Sequence, residues 1–353
     1  MLEMLNCNKF KSVQHIKPRL MIEPVYRAAD DRYECGMKYA RCGRSGILLP
    51  RISLGMWQNF GETSPLQRSK EMLHYALDHG VVSIDLANNY GPGYGTAEET
   101  FGYVMRKSLF PYRDELFIAS KAGYDMWPGP YGNWGSRKYL MASVDQSLRR
   151  TGLEYFDVFY SHRYDPSTPE EETLQALVDI VRQGKALYAG ISRWPAEAAA
   201  RAFDYLRRRD VPCLLFQDRY NLADRRVATD GTLDEVSAAG SGFIAFSPLA
   251  EGVLTDRYLD GIPAGSRAAR GSHLTASKVT PEIVEKVRRL NEIAVSRGQS
   301  MAQMALSWVL NDQRVTSVIV GCSSVGQLAD NLRAVAAPAF SPEELARISE
   351  IMA

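Results

Sequence analysis

From residue 49 onward the chain alternates between two arrangements of apolar residues. Short, nearly unbroken apolar runs are followed by longer stretches in which apolar positions recur every three to four residues. The runs are LPRISLGMW, VSIDLANNY, LFIASKAG, FDVFYSHR, ALYAGISR, CLLFQDRYN, GFIAFSPL and VTSVIVGCS, eight in all. Runs of this length and β-branched content read as strands buried on both faces. The intervening stretches, among them SPLQRSKEMLHYALDHG, TAEETFGYVMRKSL, SRKYLMASVDQSLRRTG, PEEETLQALVDIVRQG and AEAAARAFDYLRRRD, read as amphipathic helices. Several carry an acidic first turn after Thr or Pro and a glycine beyond the last turn, which satisfies the exposed ends of a helix. A helix between successive strands returns the chain to the same edge, so the strands must be parallel.

Eight such units predict an α/β fold, a single (β/α)8 TIM barrel with its site at the carboxyl ends of the strands. The spacing is irregular in two places. YDMWPGPYGNWGS, residues 124–136, forms a large loop after the third strand, and 74 residues separate Ser247 from Gly321 across the seventh and eighth. That second gap is too long for one crossover, so a loop and an extra helix are expected there. MKYARCGRSGILLP, ahead of the first strand, predicts an N-terminal β-hairpin turning at Gly43 to Gly46 and closing the bottom of the barrel. The expected division is a barrel over 23–353, preceded by a flexible extension over 1–22 in which Met21 is an alternative start.

Composition narrows the function. With 45% hydrophobic and 24% charged residues and a net charge of +1, the chain has a large core and no polyanion-binding signature, so nucleic acid is not an expected partner. No run of about 18 apolar residues exists, so no membrane span is expected. The N-terminus lacks the apolar core and small-residue cleavage site of a secretory signal. Cys7, Cys35, Cys42, Cys213 and Cys322 are odd in number with no C-x-x-C pair, which points to free thiols and a cytoplasmic location. The five histidines show no ligand spacing, so no metal is expected.

Chemistry concentrates where the runs end. Lys121 closes an apolar strand, an expensive place for a cation unless a carboxylate balances it. Asp85, ending the neighbouring strand, supplies that carboxylate. Tyr90, five residues later, reaches the same mouth, and a phenol beside an ammonium should have its pKa lowered from ~10 toward neutrality, making it a proton donor to a carbonyl oxygen. His162, ending the fourth strand, adds a donor to polarise that carbonyl. Each residue alone reads more simply as structural; on three successive strands they form one catalytic set. The aromatic loop, with Tyr124, Trp127, Tyr131 and Trp134, would wall a small pocket or simply pack down on the barrel. Arg163, directly after His162, is the first candidate for a substrate phosphate, with Arg137 and Lys138 behind it. Met301, Met304 and Trp308 match helical spacing and are read as core.

These motifs, DLANNYG, SKAGYDMWPGPYG, YSHR, GISRW, FSPLAEG and GCSSVGQLADN, resemble the aldo-keto reductases over residues 37–351. The chain looks most like the branch acting on L-glyceraldehyde 3-phosphate, near the potassium-channel β subunits. The resemblance implies reversible hydride transfer from NADPH to an aldehyde, with Tyr90 as acid, Lys121 and Asp85 as its tuning pair and His162 orienting the carbonyl. It implies that Ser192 and Gln217 hold the nicotinamide carboxamide, with Phe246 against the ring and Trp57 and Asp85 beside it. Ser247, Pro248, Leu249, Glu251 and Gly252 would form the pyrophosphate loop, closed by Arg257 and Arg267. Gly321, Ser323, Gln327 and Asn331 would hold the adenosine end. Arg193 is open to either cofactor or substrate. Trp57, Tyr90, Trp127, His162 and Arg163 would meet the substrate.

No G-x-G-x-x-G follows a strand, so a Rossmann domain is not supported. Cys322 stands where many members place a lysine for the 2′-phosphate. The expected activity is reduction of small aldehydes, including L-glyceraldehyde 3-phosphate and methylglyoxal. The alternative is an NADP-binding regulatory subunit; His162 favours the enzyme, because the channel branch carries asparagine there. Homo-oligomers are compatible with the resemblance, and no residue pattern decides the point.

Overall fold

A computed structural model describes residues 25–271 and 274–353. The expected extension over 1–22 lies outside them. Eight parallel strands close into a barrel: β3 (Ile52–Gly55), β4 (Ser83–Asp85), β5 (Phe117–Ala122), β6 (Phe156–Ser161), β7 (Ala186–Ser192), β8 (Cys213–Arg219), β9 (Gly242–Phe246) and β10 (Val315–Val320). Each pairs with its sequence neighbours, and β10 closes the ring against both β9 and β3. Every strand lies within the apolar run that predicted it. The second run proves shorter as a strand than as a pattern. Formal pairing of β4 ends at Asp85, but Leu86 N–H still donates to Ala119 O at 2.9 Å and Asn88 N–H to Lys121 O at 2.9 Å. The chain therefore leaves the sheet gradually and carries Tyr90 over the mouth.

The predicted hairpin is present as β1 (Tyr39–Arg41) and β2 (Leu48–Pro50), antiparallel. Gly43 at its turn has φ +55°, and a Cβ there would stand 2.0 Å from Gly240 O. Only glycine lets the hairpin press this closely on the barrel floor. Buried Cys42 and Leu49 continue into the barrel interior through Phe117, Val158, Tyr160 and Leu215. Tyr160 fills the interior tightly enough that a Cβ on Gly190 would lie 2.5 Å from its ring. A larger apolar cluster forms the layer between strands and outer helices.

The helices follow their patterns: Leu66–Asp78, Thr96–Val104, Arg137–Thr151, Glu170–Arg182 and Ala196–Arg207. Ser136 accepts from Tyr139 N–H at the start of its helix, and Gly152 ends that helix in the left-handed conformation. Both irregular gaps are large loops at the carboxyl end. Residues 123–136 form no regular element, and the second gap holds short turns and the extra helix Pro281–Ser296 before Met301–Asn311, which packs on β10. Met301 and Met304 are fully buried, as core residues should be. Among the described residues, no helix is long and apolar enough to cross a membrane.

Backbone strain gathers at one end. Six described non-glycine residues have positive φ, and five of them, Trp134, Arg193, Ser247, Ala250 and Glu251, lie in loops that follow the carboxyl ends of strands. Such conformations cost of order 1–3 kcal/mol each and persist where surrounding structure requires them.

Candidate active site

Lys121 is completely buried, and its ammonium donates to Asp85 Oδ1 and Oδ2, both at 2.8 Å, and to Leu86 O at 2.6 Å. Three hydrogens thus meet three acceptors. The pair is held in register because β4 and β5 are neighbours, with Asp85 opposite Ala119 and Lys121 two residues further up. Gln217 on β8 donates from Nε2 to Asp85 Oδ1 at 2.9 Å, tying the opposite wall of the barrel to the same carboxylate.

Tyr90 arrives from the loop after β4, and its ring lies 4.7 Å from Lys121 Nζ. Gly91, at φ +96°, turns the chain behind it; a Cβ there would stand 2.4 Å from Thr96 Oγ1. The expected lowering of the Tyr90 pKa is not found. Burial pushes it well above its ordinary value, and the Asp85 carboxylate and Tyr124 push it further. The reason is geometric: Lys121 spends its hydrogens on Asp85 and Leu86, and faces the phenol as a cation over a ring.

His162 sits edge-on to Tyr90, with ring centroids 5.7 Å apart, and edge-on to Tyr124 at 4.7 Å. Its pKa is driven well below the usual imidazole value, first by burial and then by the charges of Lys121, Arg193 and Arg163. The ring is therefore neutral at physiological pH. Its Nδ1 is buried with no partner among the described residues, so a proton on Nε2 leaves the buried nitrogen nothing to donate.

Above these side chains opens a cavity of about 1070 Å³. It is lined by Trp57, Asp85, Tyr90, His162, Ser192, Arg193, Gln217 and Phe246, then by Ser247, Pro248, Leu249, Glu251 and Gly252, and finally by Arg257, Arg267, Gly321, Ser323, Gln327 and Asn331. Every residue expected at a cofactor thus faces one continuous space. Asn89, Tyr94, Arg219 and Arg270 line it too and were not among the expected residues. Arg219 and Arg270 carried no signal beyond their positions at the end of a strand and within a long loop.

The chemistry of the lining suits a nicotinamide dinucleotide. Near Tyr90, Ser192 Oγ and Asn89 Oδ1 are buried without partners among the described residues, a donor and an acceptor ready for a carboxamide. At the other arm, Arg257, Arg267 and Arg270 come from one loop. Burial and the like charges of its two companions lower the Arg267 pKa, while Glu251 opposes the shift. Clustered guanidiniums of this kind await a polyanion. Ser323 donates from N–H and Oγ to Gln327 Oε1 at 2.9 Å, while Asn331 Nδ2 points to Cys322 Sγ at 3.3 Å.

Two expected substrate residues lie elsewhere. Trp127 and Arg163 do not line the cavity. Trp127 packs on Tyr139 with ring centroids 5.0 Å apart. Arg163 donates to Gly123 O at 2.7 Å and to Asn133 Oδ1 at 2.9 Å, its guanidinium carbon 3.5 Å from the Trp134 ring centroid and 4.3 Å from that of Tyr124. It ties the aromatic loop to the chain leaving β6. Arg137 is paired with Asp179, and Lys138 lies 5.1 Å from the Tyr131 ring. Among the described residues no group of His, Cys, Asp and Glu could hold a metal ion.

This arrangement has relatives. The profile of the Aldo/keto reductase family matches residues 51–353. An L-glyceraldehyde 3-phosphate reductase of Escherichia coli (strain K12) is 51% identical over 333 residues, covering 93% of this chain and 96% of that protein. A probable voltage-gated potassium channel subunit beta of Oryza sativa subsp. japonica is 34% identical over 323 residues, 90% of this chain and 97% of its own length. A putative channel subunit beta of Schizosaccharomyces pombe is 33% identical over 318 residues, covering 88% and 92%. Barrel, cavity and kinship agree: the chain belongs to the aldo/keto reductase family and is an NAD(P)-dependent oxidoreductase.

Proposed function

We propose that this protein reduces small aldehydes with NADPH, favours L-glyceraldehyde 3-phosphate, accepts methylglyoxal, and uses Tyr90 as the general acid. The observation that carries the reading is the meeting of Tyr90 with neutral His162, rings 5.7 Å apart, against the buried Lys121–Asp85 pair in a deep cavity. The 51% identity to a reductase of that name supports the substrate class. When bound, the reduced nicotinamide supplies the two electrons and one hydrogen that the carbonyl carbon takes up. Ser192, Asn89 and Gln217 would hold its carboxamide, and Arg257, Arg267 and Arg270 its phosphates. The arginine cluster favours NADPH, which brings one phosphate more than NADH.

The residues then divide the work on the aldehyde. Neutral His162, with its proton on Nε2, donates to the carbonyl oxygen and holds it beside the Tyr90 hydroxyl. As negative charge grows on that oxygen, the Tyr90 proton moves to it, leaving a phenolate whose ring faces the Lys121 cation at 4.7 Å. Asp85 keeps Lys121 charged in a buried position, and Gln217 keeps Asp85 in place. The barrel below is filled by Tyr160 and its buried neighbours.

The test follows NADPH consumption with L-glyceraldehyde 3-phosphate and methylglyoxal, wild type against Tyr90→Phe. Losing a positioned general acid costs about 100- to 10,000-fold in kcat, with NADPH affinity intact. Tight NADPH binding without turnover on any aldehyde would instead make the chain a cofactor-binding regulatory protein.

A further inference from the structure

A phosphorylated aldehyde needs a cation beside its reacting carbonyl, and the residue first expected to supply it, Arg163, is committed to Gly123, Asn133 and two aromatic rings outside the cavity. The other cavity-lining guanidiniums stand in a second group. Arg219 lies 3.5 Å from Glu251, Arg267 donates to Glu251 O at 3.3 Å, and Arg257 and Arg270 come from the loop that carries Arg267. Arg193 belongs to neither group. It follows β7 directly, lines the cavity, and sits close enough for its charge to act on both Tyr90 and His162.

The way Arg193 is held points to use. Its φ is +55°, a left-handed backbone conformation that a non-glycine residue adopts at a cost. That turn is fixed by its own N–H, which donates to Gln217 O at 3.0 Å. Its Nη1 donates to Tyr124 OH at 2.8 Å. Tyr124 is in turn held by the His162 ring at 4.7 Å and by the Arg163 guanidinium over its face at 4.3 Å. Two arginines thus act in series: Arg163 and His162 fix the phenol, and the phenol aims Arg193. A guanidinium offers five donors, and one bond to a tyrosine leaves the others for an anion.

We infer that Arg193, aimed by Tyr124, is the subsite for the substrate's phosphate, making this protein selective for phosphomonoester aldehydes over neutral ones. The inference rests on the aldehyde-reductase reading and narrows its substrate class. Arg193 is the specificity-determining residue; Tyr124 and Arg163 are positioning residues behind it. Arg193 lines the same cavity as Tyr90 and His162 and reaches the His162 ring through Tyr124, so an ester held by its guanidinium would direct its carbonyl into that cavity. The cofactor's own phosphates are the competing source of anion, and the experiment separates the two.

The ratio of kcat/KM for L-glyceraldehyde 3-phosphate to that for L-glyceraldehyde is measured for wild type, Arg193→Met, Arg193→Lys and Tyr124→Phe. NADPH affinity is measured alongside by fluorescence. Losing charge-assisted hydrogen bonds to a phosphate should lower the ratio in Arg193→Met by about 10- to 100-fold. Arg193→Lys should recover part of it, and Tyr124→Phe should lower it by only about 3- to 10-fold, as one lost aiming bond requires. A ratio unchanged in Arg193→Met overturns the inference, whatever happens to absolute rates. Weakened NADPH binding with an unchanged ratio assigns Arg193 to the cofactor instead. Glycerol 3-phosphate binding to the NADP-loaded protein gives a readout that needs no turnover. Should wild type reduce neither aldehyde, the reductase reading fails; binding of this probe lost in Arg193→Met would still support the anion subsite, and equal binding in both would end it.

Discussion

At the level of single residues, the buried ammonium of Lys121 shows why proximity alone does not set a pKa. A cation lowers a phenol's pKa when it can stabilise the oxygen that becomes charged. Here three acceptors take the three Lys121 hydrogens, and burial lifts Tyr90 well above 10.0, its ordinary value. The phenol then keeps its proton across the neutral and mildly alkaline range. Aldehyde reduction should accordingly show kcat/KM flat from about pH 7 to about pH 9, with no falling limb as the acid is lost. A pH-rate profile measured at saturating NADPH checks this. A limb descending near neutrality would mean that Lys121 leaves Leu86 and bonds the phenol oxygen in the working complex. The contrast between Arg163 and Arg193 belongs here too. Both follow a strand of the same barrel, yet one turns out to the aromatic loop and the other turns into the cavity. The second does so through a left-handed φ, a conformation that leaves no mark in an apolar-polar pattern.

Among the elements, the loop after β4 and the loop after β5 are joined by a buried strut. Asn88 Nδ2 donates to Tyr139 OH at 2.9 Å and to Ser143 Oγ at 3.3 Å, and Tyr139 OH donates on to Tyr124 O. Asn88 is two residues from Tyr90, so the turn that delivers the acid and the loop that aims Arg193 share one hydrogen-bonded post on the helix Arg137–Thr151. Tyr139→Phe removes the central hydroxyl and leaves Asn88 and Tyr124 O short of a partner. Unsatisfied buried groups of this kind cost about 1–3 kcal/mol, readable as a lowered urea midpoint. The same variant should lower aldehyde kcat/KM more than NADPH affinity, because the strut supports the loops of Tyr90 and Tyr124 and reaches the cofactor residues only through Asn89. Equal loss of both would make it a general fold support. The strands themselves were legible as uninterrupted apolar runs, and Asp85, Lys121 and His162 because polar residues end such runs for a reason. The strut was not legible: Asn88 reads as an ordinary turn residue and Tyr139 as helix core, and only packing brings them together.

Across the whole molecule, the barrel separates stability from chemistry. Strained backbone and the cavity arginines occupy the carboxyl end, while the hairpin seals the floor with apolar contacts. Charge is nearly balanced, 42 basic against 41 acidic residues, so acid sensitivity should come from particular buried groups and not from net repulsion. Two imidazoles stand out among the described residues, His162 buried and His74 half-buried. His74 stacks on Tyr26 at 3.6 Å, with Nε2 2.7 Å from Ser108 Oγ; burial and then Lys70 lower its pKa to about 4, with Asp78 opposing. His162 is shifted the same way. An unfolded histidine titrates near 6.5, so between about pH 4 and that value the unfolded chain holds a proton at position 74 that the folded chain lacks. Stability therefore rises with pH through this window and is lost on acidification, at about 1.4 kcal/mol per pH unit for each such group. Above about pH 7 both states are neutral there, and the dependence ends. Urea midpoints of wild type and His74→Gln from pH 4.5 to 8 isolate one of the two. The variant should lose less stability than wild type on going from pH 6.5 to 4.5, because glutamine takes up no proton on unfolding. Contributions of carboxylates cancel in the comparison. Parallel curves for the two proteins would mean that His74 titrates as freely in the folded state as in the unfolded one, and that its burial against Tyr26 carries no penalty on charge.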